Sequence, residues 1–203
     1  MRLLYVTDRG AIGDERFRRL LYELADAPGL SVSLREREAT DREVLELASA
    51  ARETLGPRVP LFLHRRLDIA FAARADGVQL PENGLPLARV RAAAPRPLRV
   101  GISTHSAAAA AAAIDAGADR VLLGPIFQTP GKAAFGPPLG PSALEALPPA
   151  ADHRSEVYAI GGIDESRIRE LDRWRDRISG VAAIRWIQEA PDPRAVAARI
   201  AAR

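Results

Sequence analysis

Apolar runs of four to six residues recur along the chain, each followed by a stretch whose apolar positions return every three or four residues. The first pattern predicts short buried strands, and the second predicts helices laid over them. Residues 3–6 open the series, and residues 14–24 follow with Phe17, Leu20, Leu21 and Leu24 on one helical face. Strand 30–34 leads to a helix opened by Asp41 that turns Val44, Leu45, Leu47 and Ala48 inward. Strand 59–63 leads to helix 68–75. Strand 77–80 leads to helix 86–94, where Pro86 suits a first turn. Strand 98–102 leads to the alanine-rich run 107–116, capped by Ser106 and stopped by Gly117. Alanine is the best helix former, so this run predicts a tightly packed helix. Strands 120–123, 157–160 and 180–183 complete the set, with helices expected over 142–147, from Asp164 to Trp174, and from Pro193 after a short turn.

Strand–helix units in strict alternation predict a parallel sheet, and eight of them close it into a single (β/α)8 TIM barrel, one domain over residues 1–203. The rival is a doubly wound open sheet, which carries a G-x-G-x-x-G loop after its first strand; this chain has Asp8-Arg9-Gly10 there. At 203 residues, 47% hydrophobic and 27% charged, the chain has the length and composition for one buried core. No apolar run approaches the ~20 residues that span a bilayer, and the first residues lack a signal-peptide layout, so no membrane partner is expected. Cysteine is absent. That removes disulfides, thiolate metal sites and a cysteine nucleophile, and it suits a reducing cytoplasm. The net charge is only +3 and the arginines are interspersed with acids, which argues against a nucleic-acid partner. Nothing in the pattern bars a homo-oligomer.

In a barrel the chemistry belongs at the carboxyl ends of the strands, here Thr7, Arg35, His64, Leu80, Ser103, Gly124, Gly161 and Ile184. Phosphate sites commonly use the loops after strands seven and eight, which nominates Gly161, Gly162, Ile184 and Arg185. After strand six, VLLGPIFQTPGK carries Thr129, Gly131 and Lys132, the only lysine in the chain. A lysine is a compact point charge on a flexible stem, which distinguishes it from every other cation here. Three histidines are available as bases. His64 ends a strand over the mouth, His105 lies beside a helix start, and His153, in a loop of mixed charge, is expected to be solvated.

Taken in order, YVTD at 5–8, SLREREA at 33–39, RLDIAFAARADGVQLP at 66–81, GISTHS at 101–106, DAGADRVLLGPIFQTPGK at 115–132, AIGGI at 159–163 and GVAAIRWI at 180–187 resemble the thiamine-phosphate synthase/TenI superfamily. The resemblance implies a (β/α) barrel that binds a thiazole phosphate. One branch also binds a pyrimidine methyl diphosphate, and joining the two expels diphosphate with the help of a magnesium ion held by two aspartates. The resemblance places those aspartates at Arg65 and Gly84, the family's strand-two glutamine and lysine at Ser33 and Arg37, and its strand-three asparagine at His64. Arg35, Ser103, Thr129 and Lys132 survive as substrate contacts, with Arg37 beside them. Of the acids left nearby, Asp68 reads as a helix-start residue and Glu82 as facing solvent.

The QLP at 79–81, the RER at 35–37 and the missing aspartates are similar to the TenI branch, whose proton shift on a carboxylated thiazole phosphate calls for an acid/base group and no metal. That branch's catalytic histidine falls at Pro125, within a GPIF that is synthase-like. His64 is therefore the expected replacement base, its pKa depressed by Arg37 and Arg65. The expectation is a TenI-like thiazole tautomerase, an isomerase without metal or other cofactor, whose partner is a phosphorylated thiazole or thiamine phosphate. Two alternatives stay open. One is a thiamine-phosphate synthase, a transferase using magnesium or Arg37 and Arg65 in its place. The other is a non-catalytic thiazole phosphate or thiamine phosphate binder.

Overall fold

The apolar runs all become strands, and the strands close on themselves. The computed structural model describes residues 1–94, 97–129 and 137–203. In it β1 (Arg2–Val6), β2 (Leu30–Leu34), β3 (Leu61–His64), β4 (Gly77–Pro81), β5 (Arg99–Thr104), β6 (Arg120–Leu123), β7 (Glu156–Ile160) and β8 (Gly180–Ala183) pair in chain order, all parallel, with β8 returning to β1. One face of each strand turns outward, where Leu3, Tyr5, Val32, Leu63, Val78, Val121 and Val181 join the main core beneath the helices. The helices are α1 (Arg9–Leu24), α2 (Asp41–Leu55), α3 (Leu67–Ala72), α4 (Leu87–Ala93), α5 (Ala107–Asp115), α6 (Arg185–Gln188) and α7 (Pro193–Ala201).

Several boundaries differ from the expected ones for local reasons. The α1 segment begins at Arg9, with a break at Gly13, whose φ of 76° and ψ of 166° lie outside any helix; the amphipathic pattern marks only the part after the break. Strand β3 starts at Leu61 and runs on to His64, because Pro60 has no N–H and the Leu61 N–H donates to Asp76 Oδ2 at 2.8 Å. Two expected α-helices wind as 3₁₀ segments. In Pro141–Ala146 the following Leu147 is extended, as a residue before proline tends to be, so only a short run remains to be wound. In Arg167–Trp174 the buried Ile168, Leu171 and Trp174 recur every third residue, the repeat of a 3₁₀ helix. The short turn expected after β8 contains α6.

His153 is a correction. Both of its ring nitrogens are buried without a partner among the described residues. Its loop is pinned on either side, with the Ala150 N–H donating to Asp176 O and Ser155 Oγ to Ala118 O, so the ring is held against the protein and away from water.

The inward faces fill the barrel unevenly. Leu4, Val6, Leu122, Tyr158 and Ala182 form an apolar cluster inside it, with Ile160 and Ile184 packed against them. Lower down, the fully buried Arg120 lies with its guanidinium 3.8 Å from the Phe62 ring centre and 5.1 Å from that of Tyr158. Its Nη2 donates to Ser31 Oγ and Glu156 Oε2. Arg2 and Arg99 also pair with Glu156, so three cations share one carboxylate at the barrel floor. Burial pulls the Glu156 pKa up, but Arg120 and Arg99 outweigh it and hold the group below its ordinary value.

Candidate active site at the barrel mouth

Alternation along β2 to β5 brings Ser33, His64, Gln79 and Ser103 to the inner wall opposite the apolar cluster. The mouth therefore has one polar side and one greasy side, a layout suited to a small heteroaromatic ligand carrying an anion. His64 shares a face with Phe62, whose ring fills the space a Cβ on Gly77 would occupy. Burial first, then the charges of Arg65 and Arg37, push the His64 pKa from 6.5 down to about 4. The expected direction holds, but desolvation is the larger cause. Arg65 adopts φ 67°, a left-handed conformation uncommon outside glycine, and its N–H donates to Gln79 O at 2.9 Å.

The RER segment is tied to the end of β1. Thr7 Oγ1 accepts the Arg35 N–H at 2.9 Å and donates to Glu36 Oε1 at 3.3 Å, while Arg9 Nε donates to Glu36 Oε2 at 3.1 Å. Burial raises the Glu36 pKa, against the pull of Arg9 and Thr7. Sequence reasoning passed over Glu36 and Arg9. The central position of Glu36 between two arginines, two residues beyond a buried strand, was the available signal. With Glu36 anchored, Arg35 is half-buried and Arg37 exposed at the rim.

Gly161 and Gly162 have φ values of 102° and 64°, and the loop after β6 lies directly on them. A Cβ would meet Pro125 Cα at 2.6 Å from Gly161 and Gln128 O at 2.6 Å from Gly162. Phe127 N–H donates to Gly161 O, and Arg167 Nη1 donates to Gly162 O. These glycines thus pack two loops together, whatever else their amides bind. A cavity of about 520 Å³ that reaches Val196 and Arg199 of α7 brings Gly162 and Arg185 together with Arg167, but none of Gly161, Ile184, His64 and Ser103 lines it. Ile184 precedes α6 and spends its carbonyl on Ile187 and Gln188. Thr129 is half-buried at the edge of the described residues, and Gly131 and Lys132 lie outside them.

The acids near the mouth do not fit a magnesium ion. Glu82 Oε2 takes both the backbone N–H and the Nδ1 of His105 at 2.8 Å. Asp68 is held by Arg66, Gly84 has no side chain, and Arg65 brings a positive charge. Magnesium needs octahedral oxygen ligation, usually anchored by carboxylate, and among the described residues no three metal-ligating side chains cluster. No helix among the described residues is long and apolar enough to cross a membrane.

A family model described as thiamine monophosphate synthase matches residues 3–187. A putative thiamine-phosphate synthase of Geobacter sulfurreducens is 40% identical over 95% of this chain and 89% of its own length. A thiamine-phosphate synthase of Methanoculleus marisnigri is 38% identical over 83% of this chain and 80% of its own. Among solved structures, a thiamine phosphate pyrophosphorylase from Pyrococcus furiosus superimposes with a TM-score of 0.82 at 27% identity, covering 98% of this chain and 93% of that one. These names favour the synthase over the expected tautomerase.

Proposed function

The chain belongs to the thiamine monophosphate synthase family, and from that membership we propose that its mouth joins a phosphorylated thiazole to a pyrimidine methyl diphosphate, with arginine assisting the departure of diphosphate. The observation that carries this assignment is the left-handed turn at Arg65, whose N–H is held by Gln79 O just beyond the end of β3, with the charges of Arg65 and Arg37 both felt at the His64 ring. As the bond from the thiazole nitrogen to the methylene carbon forms, the bond from that carbon to the diphosphate oxygen breaks, and negative charge builds on the leaving group. Arg65 and Arg37 are exposed, and their guanidiniums would close on that charge as it builds. Arg65 stands where the resemblance puts a metal-binding aspartate, and its fork matches diphosphate oxygens in pairs. Ser103 would hold the substrates from the polar side and Thr129 from the segment after β6, and Lys132, three residues on in the sequence and outside the described residues, would join them. The glycines at 161 and 162, with Ile184 and Arg185, would take the thiazole phosphate. No step is assigned to a metal. The partners are then small phosphorylated molecules, in a cytoplasmic setting.

A tautomerase is the second assignment, favoured by the uncharged ring of His64 at neutral pH. A pKa of about 4 makes that ring a weak base, however, well below the value near working pH that proton abstraction favours. Incubation of both substrates with a chelator, then with magnesium, tests the choice. Formation of thiamine phosphate is expected to survive the chelator and to fall about 100-fold in Arg65→Gln, with His64→Gln within about threefold of wild type. Strict magnesium dependence would refute the arginine-assisted step. Thiazole isomerisation without coupling, lost in His64→Gln, would establish the tautomerase. Tight binding with neither reaction would leave a non-catalytic binder.

A further inference from the structure

Two of the most deeply buried polar side chains have unmet hydrogen-bonding capacity on opposite sides of one glycine. Gln79, 1% exposed, donates from Nε2 to Ser103 Oγ at 3.1 Å, while its Oε1 has no partner among the described residues. Arg120, also 1% exposed, uses Nη2 on Ser31 and Glu156, and its Nε and Nη1 have none. Between them lies Gly101, paired in register with Gln79 on β4 and with Arg120 on β6. A Cβ on Gly101 would sit 2.1 Å from Gln79 Oε1, so the carbonyl oxygen occupies the space that any larger residue would fill. One orphan acceptor seated over Gly101 and two orphan donor atoms on the next strand's Arg120 make up the roughly three partners of a typical buried water.

We propose that a buried water between Gln79 Oε1 and Arg120 joins the two side chains across the Gly101 strand, and that Gln79 thereby acts as the positioning residue for Ser103. The amide has two orientations, and Arg120 decides between them. A flipped amide would turn its NH₂ toward a guanidinium that only donates, leaving three donor atoms to compete for the two lone pairs of the one water. With Oε1 held toward Arg120, Nε2 must point at Ser103, whose oxygen then accepts. The Ser103 proton is left free to donate to an anionic or carbonyl oxygen of the ligand at the mouth. This inference rests on the phosphorylated-thiazole assignment for its ligand, though not for the water.

Gln79→Glu keeps the shape but replaces the Nε2 donor with a second acceptor, so the Ser103 proton turns to residue 79 and away from the ligand. Calorimetric affinity for a phosphorylated thiazole is expected to drop about tenfold. The Tm is expected not to fall, because the new carboxylate faces Arg120. Ser103→Ala is expected to lose a similar factor and the double variant to lose no more than either alone, a coupling that a purely structural role for Gln79 would not produce. Independent, additive losses would overturn the proposal. A crystal structure of the wild type near 1.5 Å supplies a readout free of any ligand. Water within hydrogen-bond distance of Gln79 Oε1 and Arg120 supports the proposal, and an empty site overturns it even if Gln79→Glu fails to fold. If wild type binds neither a phosphorylated thiazole nor inorganic phosphate, the functional assignment falls, and the crystal structure still decides the water.

Discussion

Single side chains at the mouth have consequences that are measurable before any substrate is known. His64 is neutral in the folded chain down to about pH 4, against an ordinary value of 6.5. Between those values the unfolded chain binds a proton that the native chain does not, so native stability falls as pH drops from 6.5 toward 4. The full loss is about 3 kcal/mol. Urea unfolding at pH 7, 5.5 and 4 is expected to show this extra loss in wild type and not in His64→Gln; parallel pH dependences would mean that the ring is protonated in the native state. Gly162 makes a second case. Its φ of 64° and the contacts at 2.6 and 2.8 Å waiting for a Cβ, to Gln128 O and Phe127 Cβ, predict that Gly162→Val destabilises by about 3 kcal/mol. If the phosphate site proposed at Gly162 and Arg185 is right, the same variant is expected to weaken thiazole phosphate binding as well, since both residues line one cavity. Wild-type urea unfolding in that variant would show that the loop after β6 gives way freely.

At the scale of elements, α5 has no charged side chain to support its ends except Asp115. Its body is alanine and isoleucine up to Asp115, with no charge in the first turn and no basic residue in the last. Ser106 Oγ accepts the Ala109 N–H at 3.1 Å, as the sequence predicted, and is the side-chain cap of that end. Ser106→Ala is therefore expected to cost about 1 kcal/mol in chemical denaturation, and Ser106→Asp to recover it. No loss in Ser106→Ala would mean that packing of Ala110, Ala113 and Ile114 alone sets the helix. The 3₁₀ segments teach the converse. An apolar repeat of three, as in Ile168, Leu171 and Trp174, fits a window that an α-helical pattern also tolerates, so the type of helix was not legible from polarity alone.

Across the whole molecule, the floor of the barrel holds more positive than negative charge. Glu156 faces Arg2, Arg99 and Arg120, and only Arg120 is completely out of water. Removing the carboxylate strands a buried cation between Phe62 and Tyr158, so Glu156→Ala is expected to destabilise by about 3–5 kcal/mol. Arg120→Met, which replaces the cation with an apolar chain of similar length, is expected to cost far less, and the double variant to recover most of the loss of Glu156→Ala. Urea unfolding of the three variants checks this. Equal losses in both single variants would show that Arg2 and Arg99 already neutralise Glu156 and that the buried guanidinium draws its stability from the rings.

The barrel was legible in the chain because closure depends on local patterns repeated eight times. Runs such as Leu30–Leu34 and Gly180–Ala183 state their own burial, and the helices between them are too regular for an open sheet without its glycine loop. His64, Ser103 and Gly161 were nominated for the same reason, since a strand's end in a barrel is an address at the mouth. Tertiary structure alone decided what those residues meet. No periodicity shows that Gly161 and Gly162 carry the loop after β6, that Glu36 is held by Thr7 and Arg9, or that Gln79 and Arg120 flank Gly101. These contacts join segments far apart in the chain, and their strength depends on burial and charge in three dimensions. The depth of the His64 pKa shift is of this kind. Its neighbours in sequence supply a charge, but the larger cause is the desolvation that only a closed barrel imposes.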